Sequence, residues 1–281
     1  MSGRLVVCPT PIGNLEDITL RVLATLREAD VIAAEDTRHT RQLLDRYGVV
    51  APLVSYHEHN EDRRSSELVS RMQAGEVVAL VSDAGMPLVS DPGYVLVRAC
   101  VAAGLAVEVL PGPSAALTAL VASGLPSDSW RFVGFLPRKK GELRRVFAES
   151  GAGGGTLVAF ESPRRVPASL AVLASVDPDR LVAVARELTK LHEEVVRGTA
   201  AELAARYAGD PPRGEVVLVV APPAVVSGAE APLPEEAVAA VARLVEAGAK
   251  PRAAAGVVAE LTGTSANALY RAVSEGRSSS S

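Results

Sequence analysis

The sequence predicts an α/β protein of two lobes followed by a small helical appendage, and three patterns predict it. Short β-branched runs alternate with longer amphipathic segments. Turn formers interrupt that alternation near residue 124, and after residue 222 it gives way to helical periodicity alone.

In chain order, RLVVC (4–8) reads as a strand, TLRVLATLREA (19–29) as a helix, DVIAAE (30–35) as a strand and TRHTRQLLDRYG (37–48) as a helix. VVALVS (77–82), DPGYVLVRACVAAG (91–104), AVEVL (106–110) and SAALTALVASG (114–124) continue the succession, which is the rhythm of a largely parallel sheet. The class follows from this rhythm; strand order does not. Gly124, Leu125, Pro126, Ser127 and Asp128 form the hinge. Beyond it come WRFVGFL (130–136), a charged helix from Gly141, TLVAFE (156–161), PRRVPASLAVLAS (163–175), RLVAVARELT (180–189), EEVVRGT (193–199) and GEVVLVVA (214–221). This second sheet need not resemble the first. After the Pro/Ala/Gly-rich PPAVVSGAEAPLP (222–234) come helical segments at 234–248, 251–263 and 264–276. The expected partition is an N-terminal α/β domain (1–123), a C-terminal α/β domain (124–222), a linker (223–233), a helical appendage (234–276) and a disordered tail (277–281). SGAGGGT (150–156) reads as a flexible loop and not as a dinucleotide fingerprint, because it precedes a strand instead of following one.

A chain of 281 residues with 48% hydrophobic side chains can fill the cores of about two domains. Its longest apolar runs, VVALV (77–81) and VVLVVA (216–221), fall far short of the roughly 20 residues of a membrane span, and the N-terminus has no apolar leader; the cytoplasm is the expected compartment. Cys8 and Cys100 lie in apolar stretches and read as buried thiols, a disulfide being the other reading. A net charge of −4 argues against a molecule that binds nucleic acid over its whole surface, so RNA contact requires a local basic patch.

Ligands of parallel α/β sheets bind at the carboxyl ends of the strands. Four loops there are unusual: CPTPIGN (8–14), AEDTRHTR (34–41), SDAGMPLVSDPG (82–93) and PGPSAA (111–116). Proline and glycine at this density stiffen a loop and clear away side chains, so that a ligand can lie against backbone. Any one of them reads equally well as a tight turn; four at one sheet edge point to a site. No GxxxxGK[ST], HExxH or CxxC is present. His57-Glu58-His59 has no evident third ligand and reads as a polar loop leading into a helix capped by Asn60; no metal is expected.

CPTPIGNLEDITLRVLATLREADVIAAEDTRHTRQLL, SDAGMPLVSDPG, PGPSA, FVGFLPRK and FESPRR together resemble the ribosomal RNA small subunit methyltransferase I family, within the tetrapyrrole methylase superfamily. The resemblance is dense over residues 4–221. It departs from the corrin-ring methylases, which usually read GDP where this chain has Gly85, Met86 and Pro87. It implies a two-domain fold with S-adenosylmethionine in the cleft between domains, a homodimer, and 2′-O-methylation of a cytidine in the decoding centre of 16S rRNA within the 30S subunit. Two rivals are a tetrapyrrole C-methyltransferase and a non-catalytic RNA-binding assembly factor. Pro11 and Ile12 match the superfamily's first cofactor loop, Gly85, Met86, Pro87 and Val89 its third, and Ser114 and Ala115 its fourth. Phe160 and Leu188 match the wall over the adenine, and they also read as plain core.

A ribose hydroxyl is a poor nucleophile, so a base or strict orientation must assist it. Glu35, Asp36 and Arg38 cluster after a strand end: a carboxylate there would polarise the 2′-OH and Arg38 would hold a phosphate. Asp36 reads also as the N-cap of the helix from Thr37. Asp83 and Asp91 are weaker candidates. For RNA, Arg138, Lys139, Lys140, Arg144 and Arg145 place five cations within eight positions, and Arg164 and Arg165 add two. Trp130 and Phe132 are expected to be buried, with base stacking as the other reading. Lys250, Arg252 and Arg271 mark the C-terminal helices as an RNA arm or a dimer prop.

Overall fold

A computed structural model of the chain describes residues 3–150, 155–223 and 234–278. It divides into two compact units, residues 1–223 and 224–281. In the first unit, β1 (Arg4–Val7), β2 (Val31–Ala34), β3 (Leu53–Ser55), β4 (Val77–Val81) and β5 (Ala106–Val109) form a sheet of order β3-β2-β4-β1-β5 in which every pair is parallel. Between them run α1 (Leu20–Glu28), α2 (Thr37–Arg46), α3 (Glu61–Gln73) and α4 (Tyr94–Ala102). Successive strand residues face opposite sides: Val6 and Cys8 join Val22, Leu26 and Leu44, whereas Leu5 and Val7 join Leu68, Met72 and Leu96. Both faces are thus covered, which is why these strands read as unbroken apolar runs. The sequence reading missed β3: three half-buried residues are too short a run to show a period. Cys8 and Cys100 are buried free thiols on opposite faces of this sheet.

The second sheet is built from β6 (Trp130–Phe135), β7 (Thr156–Glu161), β8 (Leu181–Arg186), β9 (Glu194–Thr199) and β10 (Val216–Val220), in the order β6-β7-β10-β8-β9. Only β6 and β7 are parallel; the other pairs are antiparallel. One face packs on α6 (Lys140–Glu149), α7 (Val166–Val176) and α8 (Ala200–Tyr207) through Phe147, Leu170, Leu173 and Leu203. The other face is covered by α5 (Ala115–Ser123), whose Ala116, Ala119 and Leu120 lie against Ala183, Ala185, Val217 and Val219. Alanine on both sides lets helix and sheet approach closely. The composition break at Gly124 therefore marks the end of α5, while α5 itself already packs against the strands that follow that break.

Caps fix the helix starts. Thr19 accepts a hydrogen bond from the Val22 amide, and Thr199 with Glu202 forms a capping box on α8. Asn60 departs from expectation. It precedes α3, but its side chain makes no cap bond there: Oδ1 accepts from the His57 amide at 3.0 Å and Nδ2 donates to the Ser55 carbonyl at 3.2 Å. Trp130 departs as well, being 38% exposed where burial was expected.

In the second unit, α9 (Glu235–Glu246), α10 (Pro251–Thr262) and α11 (Ala266–Ser278) pack around Ala237, Val241, Ala255, Val258 and Leu269. The helix continues through 277–278, which the sequence reading assigned to a tail. The linker residues 224–233, loop residues 151–154 and terminal residues 279–281 lie outside the described residues. Among the described residues no helix is long and apolar enough to cross a membrane.

Candidate active site

The four loops, three of them rich in proline and glycine, leave the carboxyl ends of β1, β2, β4 and β5, and hydrogen bonds stitch the first and third together. The Thr10 amide donates to the Gly85 carbonyl at 2.9 Å, the Gly85 amide returns to the Thr10 carbonyl at 3.0 Å, and the Thr10 hydroxyl donates to the Ser82 carbonyl at 3.0 Å. The first loop also meets the segment after β8. A Cβ on Gly13 would stand 2.5 Å from Lys190 Cγ and 2.8 Å from Thr189 Oγ1, and the Asn14 amide donates to that hydroxyl at 3.0 Å. Only glycine permits this approach.

These contacts enclose a cavity of about 300 Å³, at the small end of the range for ligand sites. Of the ten residues expected at a cofactor, Ile12, Gly85, Met86 and Val89 line it from the first and third loops. Ser114 and Ala115 line it from the start of α5, and Phe160 and Leu188 from the second sheet. Pro11 and Pro87 are not among the lining residues. Ser114 caps α5 through the Leu117 amide at 3.5 Å. Leu188 is buried and Phe160 half-buried in the same apolar cluster as Ile12, so both of their readings hold at once: each is core on one side and wall on the other.

Four polar lining residues escaped the sequence reading: Ser90, Glu161, Ser162 and Glu215. Two of them lie inside FESPRR, so the motif was visible and their roles were not. Glu161 is buried, and its charge is met on every side: Oε1 accepts from the Ser162 amide at 2.7 Å and pairs with Arg165 at 3.2 Å, and Oε2 accepts from the Ser169 hydroxyl at 2.6 Å. Glu215 Oε2 pairs with Lys190 Nζ at 2.9 Å, and Lys190 also holds Glu187 at 3.0 Å.

The carboxylates at the ends of β2 and β4 divide into two kinds. Asp36 caps α2, accepting from the Arg38 amide at 2.8 Å and from its guanidinium at 2.9 and 3.2 Å. Those bonds hold its carboxyl down at about 2. Glu35 accepts from the Asp83 amide at 3.4 Å and is pushed up by burial and then by the Asp83 charge. Glu35, Asp36 and Arg38 do not line the cavity; Asp91 does. Burial, then the Glu35 charge, raises the Asp91 carboxyl to about 6, against a hydrogen bond from Ser82 that lowers it, with Asp83 adding a further rise. Asp91 follows Ser90, which has φ 69°, and Leu88 has φ 71°. Left-handed backbone at two non-glycine residues is strain of the kind that gathers at functional sites.

The basic segment begins at the rim. Arg138, Lys139, Lys140, Arg144, Arg145 and Arg164 are exposed. Lys139 pairs with Glu142 at 3.4 Å, Arg145 with Glu149 at 3.8 Å, and Arg144 donates to the Ser175 hydroxyl at 3.2 Å. Arg165 is directed inward: besides Glu161 it donates to the Leu136 carbonyl at 3.2 Å and the Pro137 carbonyl at 2.6 Å, and so anchors the segment that bears Arg138.

Two parallel-to-mixed α/β sheets around one loop-lined cavity define a class, and the family model for tetrapyrrole (corrin/porphyrin) methylases matches residues 4–204. A uroporphyrin-III C-methyltransferase from Thermus thermophilus, solved with S-adenyl homocysteine, has the same fold: TM-score 0.54 at 22% identity, over 78% of this chain and 97% of that one. Within the class the sequence relationship is closer. The chain is 47% identical over 274 residues to the ribosomal RNA small subunit methyltransferase I of Mesorhizobium japonicum, covering 96% of this chain and 91% of the relative. It is 46% identical over 277 residues to that of Micromonospora olivasterospora, covering 97% and 87%. The chain belongs to the ribosomal RNA small subunit methyltransferase I family.

Proposed function

We propose that this chain methylates the 2′-hydroxyl of a cytidine in the decoding centre of 16S rRNA within the 30S subunit, with S-adenosylmethionine as donor. The carrying observation is that backbone-rich loops meet in a single cavity with Asp91, the lining carboxylate that no basic side chain among the described residues pairs, whereas Glu161 and Glu215 are held by Arg165 and Lys190. The residues fit the donor. Ile12, Met86, Phe160 and Leu188 offer an apolar wall to an adenine, the first amides of α5 are open to a carboxylate, and the exposed Glu215 can accept from an amine or ribose hydroxyls. When bound, S-adenosylmethionine supplies an electrophilic methyl group on a sulfonium.

The chain's own part is to orient the ribose and take its proton. A carboxylate near 6 is ionised at neutral pH yet is a far better proton acceptor than one near 2, so Asp91 takes this role in place of Asp36. Asp36 and Arg38 shape the start of α2, and Glu35 tunes Asp91 through its charge. Arg138, Lys140 and Arg164 hold phosphates of the RNA, with Arg165 positioning the first two. A second copy covers the open edge of the first sheet, where Val109 of β5 and Val101 of the adjoining α4 are 57% and 66% exposed.

Labelled S-adenosylmethionine offered with 30S subunits, naked 16S rRNA and a tetrapyrrole precursor tests the reading. Label in a ribose of the subunit supports it. Label in the macrocycle, or cofactor binding without transfer, overturns it.

A further inference from the structure

Phe135 is 63% exposed, although it is the last residue of a strand in a packed sheet, and it lines the cavity. A regular strand would not put it there. With a period of two, Phe132 and Phe135 fall on opposite faces. Between them the pairing of β6 with β7 shifts register, and Gly134 takes φ 66°. This bulge adds one residue, so Phe135 returns to the face that Phe132 occupies, while Val133 and Leu136 both go to the opposite core. The result is an aromatic row. Phe132 and Phe135 each meet Phe160 edge to face, with centroids at 4.9 and 5.5 Å. Phe160 steadies the Phe135 ring, most of which stays open to solvent. Two residues beyond Leu136 begin the exposed cations Arg138, Lys139 and Lys140.

We infer that Phe135 is a nucleobase-binding subsite, stacking a base of the substrate RNA at the lip of the cavity while Arg138 and Lys140 hold the adjoining phosphates. The inference rests on the RNA reading above and adds to it the group that seats the base. An aromatic face bound to one side of a ligand cavity, beside a cationic track, is the pairing that holds single-stranded nucleic acid. Trp130 and Phe132, the aromatics that the sequence offered for this role, lack the position. Trp130 does not line the cavity, and Phe132 packs into the cluster beneath α5.

The test uses the full chain with S-adenosylhomocysteine bound, so that binding is read without turnover, and compares wild type, Phe135→Ala and Phe135→Tyr. One probe is the 30S subunit. The other is a short cytidine-rich RNA carrying a fluorescent cytidine analogue, whose emission falls on stacking. Phe135→Ala should weaken RNA binding by about 5- to 100-fold, the size of one base–aromatic stack, and abolish the quenching. Phe135→Tyr should keep both, and calorimetry should find the S-adenosylhomocysteine affinity equal in all three. Equal RNA binding and quenching in wild type and Phe135→Ala would overturn the subsite. So would a matching loss of S-adenosylhomocysteine affinity, which would make Phe135 part of the cofactor wall. Failure of wild type to bind either RNA would instead sink the RNA reading itself. Because the ring is largely exposed, its removal should leave the melting temperature nearly unchanged, and that control separates lost binding from lost fold.

Discussion

Replacing Asp91 by Asn should make the protein more stable and far less active. The carboxyl is raised from 3.8 to about 6, first by burial and then by Glu35. At 1.36 kcal/mol per pH unit that shift corresponds to roughly 3 kcal/mol, and the partial exposure of the group screens it to about 1–2 kcal/mol. The sign follows from linkage. The folded chain holds this proton more tightly than the unfolded chain, so ionised Asp91 destabilises the fold above about pH 6, and the penalty is relieved as pH falls from about 6 toward 3.8. Asn removes the charge; the melting temperature at pH 7.5 should rise by a few degrees, and the gain should vanish near pH 4. The same change removes the proton acceptor and should slow methyl transfer by about 10²- to 10⁴-fold. Single-turnover transfer to 30S subunits between pH 5 and 9 reads the second effect. The wild-type rate should rise with a midpoint at about pH 6. Glu35→Gln should move that midpoint to lower pH, since the Glu35 charge helps to raise Asp91. A wild-type rate that is flat through pH 6, or an Asp91→Asn protein with full activity and a lower melting temperature, would refute the reasoning.

Three further outcomes are expected. Gly13→Ala should lower S-adenosylmethionine affinity at least about tenfold by calorimetry, because the new methyl would stand 2.5 Å from Lys190 Cγ and 2.9 Å from the Leu188 carbonyl, part of the segment that walls the cavity. Arg138→Glu combined with Lys140→Glu should abolish transfer to 30S subunits and leave cofactor affinity intact; unchanged methylation would remove the patch from the interface. Arg165→Met should destabilise the fold by about 3 kcal/mol in urea titration, because it strands the buried Glu161 charge; a loss confined to RNA binding would show that Arg165 faces the substrate instead.

How much of this was legible in the sequence depends on what each feature asks of the chain. The first sheet, β3 apart, was readable because strands covered on both faces must be apolar throughout, and three of its four ligand-side loops were readable because proline and glycine there leave a mark in composition. Family-level motifs pointed to eight residues that do line the cavity. The proposed acceptor was harder to find. Asp36 and Asp91 are both aspartates in loops that follow strands, and only the fold shows that Arg38 occupies the first while burial and Glu35 act on the second. The left-handed Leu88 and Ser90 were invisible, since nothing in a leucine or serine signals positive φ.

The bulge in β6 shows why the rest was out of reach. A period-two reading assigns faces correctly only while the register holds, and one glycine with φ 66° reverses every assignment after it. Before the bulge Phe132 lies in the cluster beneath α5, as its expected burial requires; after it, Phe135 is reached only by counting the extra residue. That residue also sends Leu136 into the core beside Phe147, so the backbone of Leu136 and Pro137 lies where Arg165 can bind both carbonyls. The exposed ring, the anchored carbonyls and the cations beginning at Arg138 therefore follow from a single local irregularity. A chain that kept β6 regular would turn Phe135 away from the cavity and leave the basic segment without its anchor.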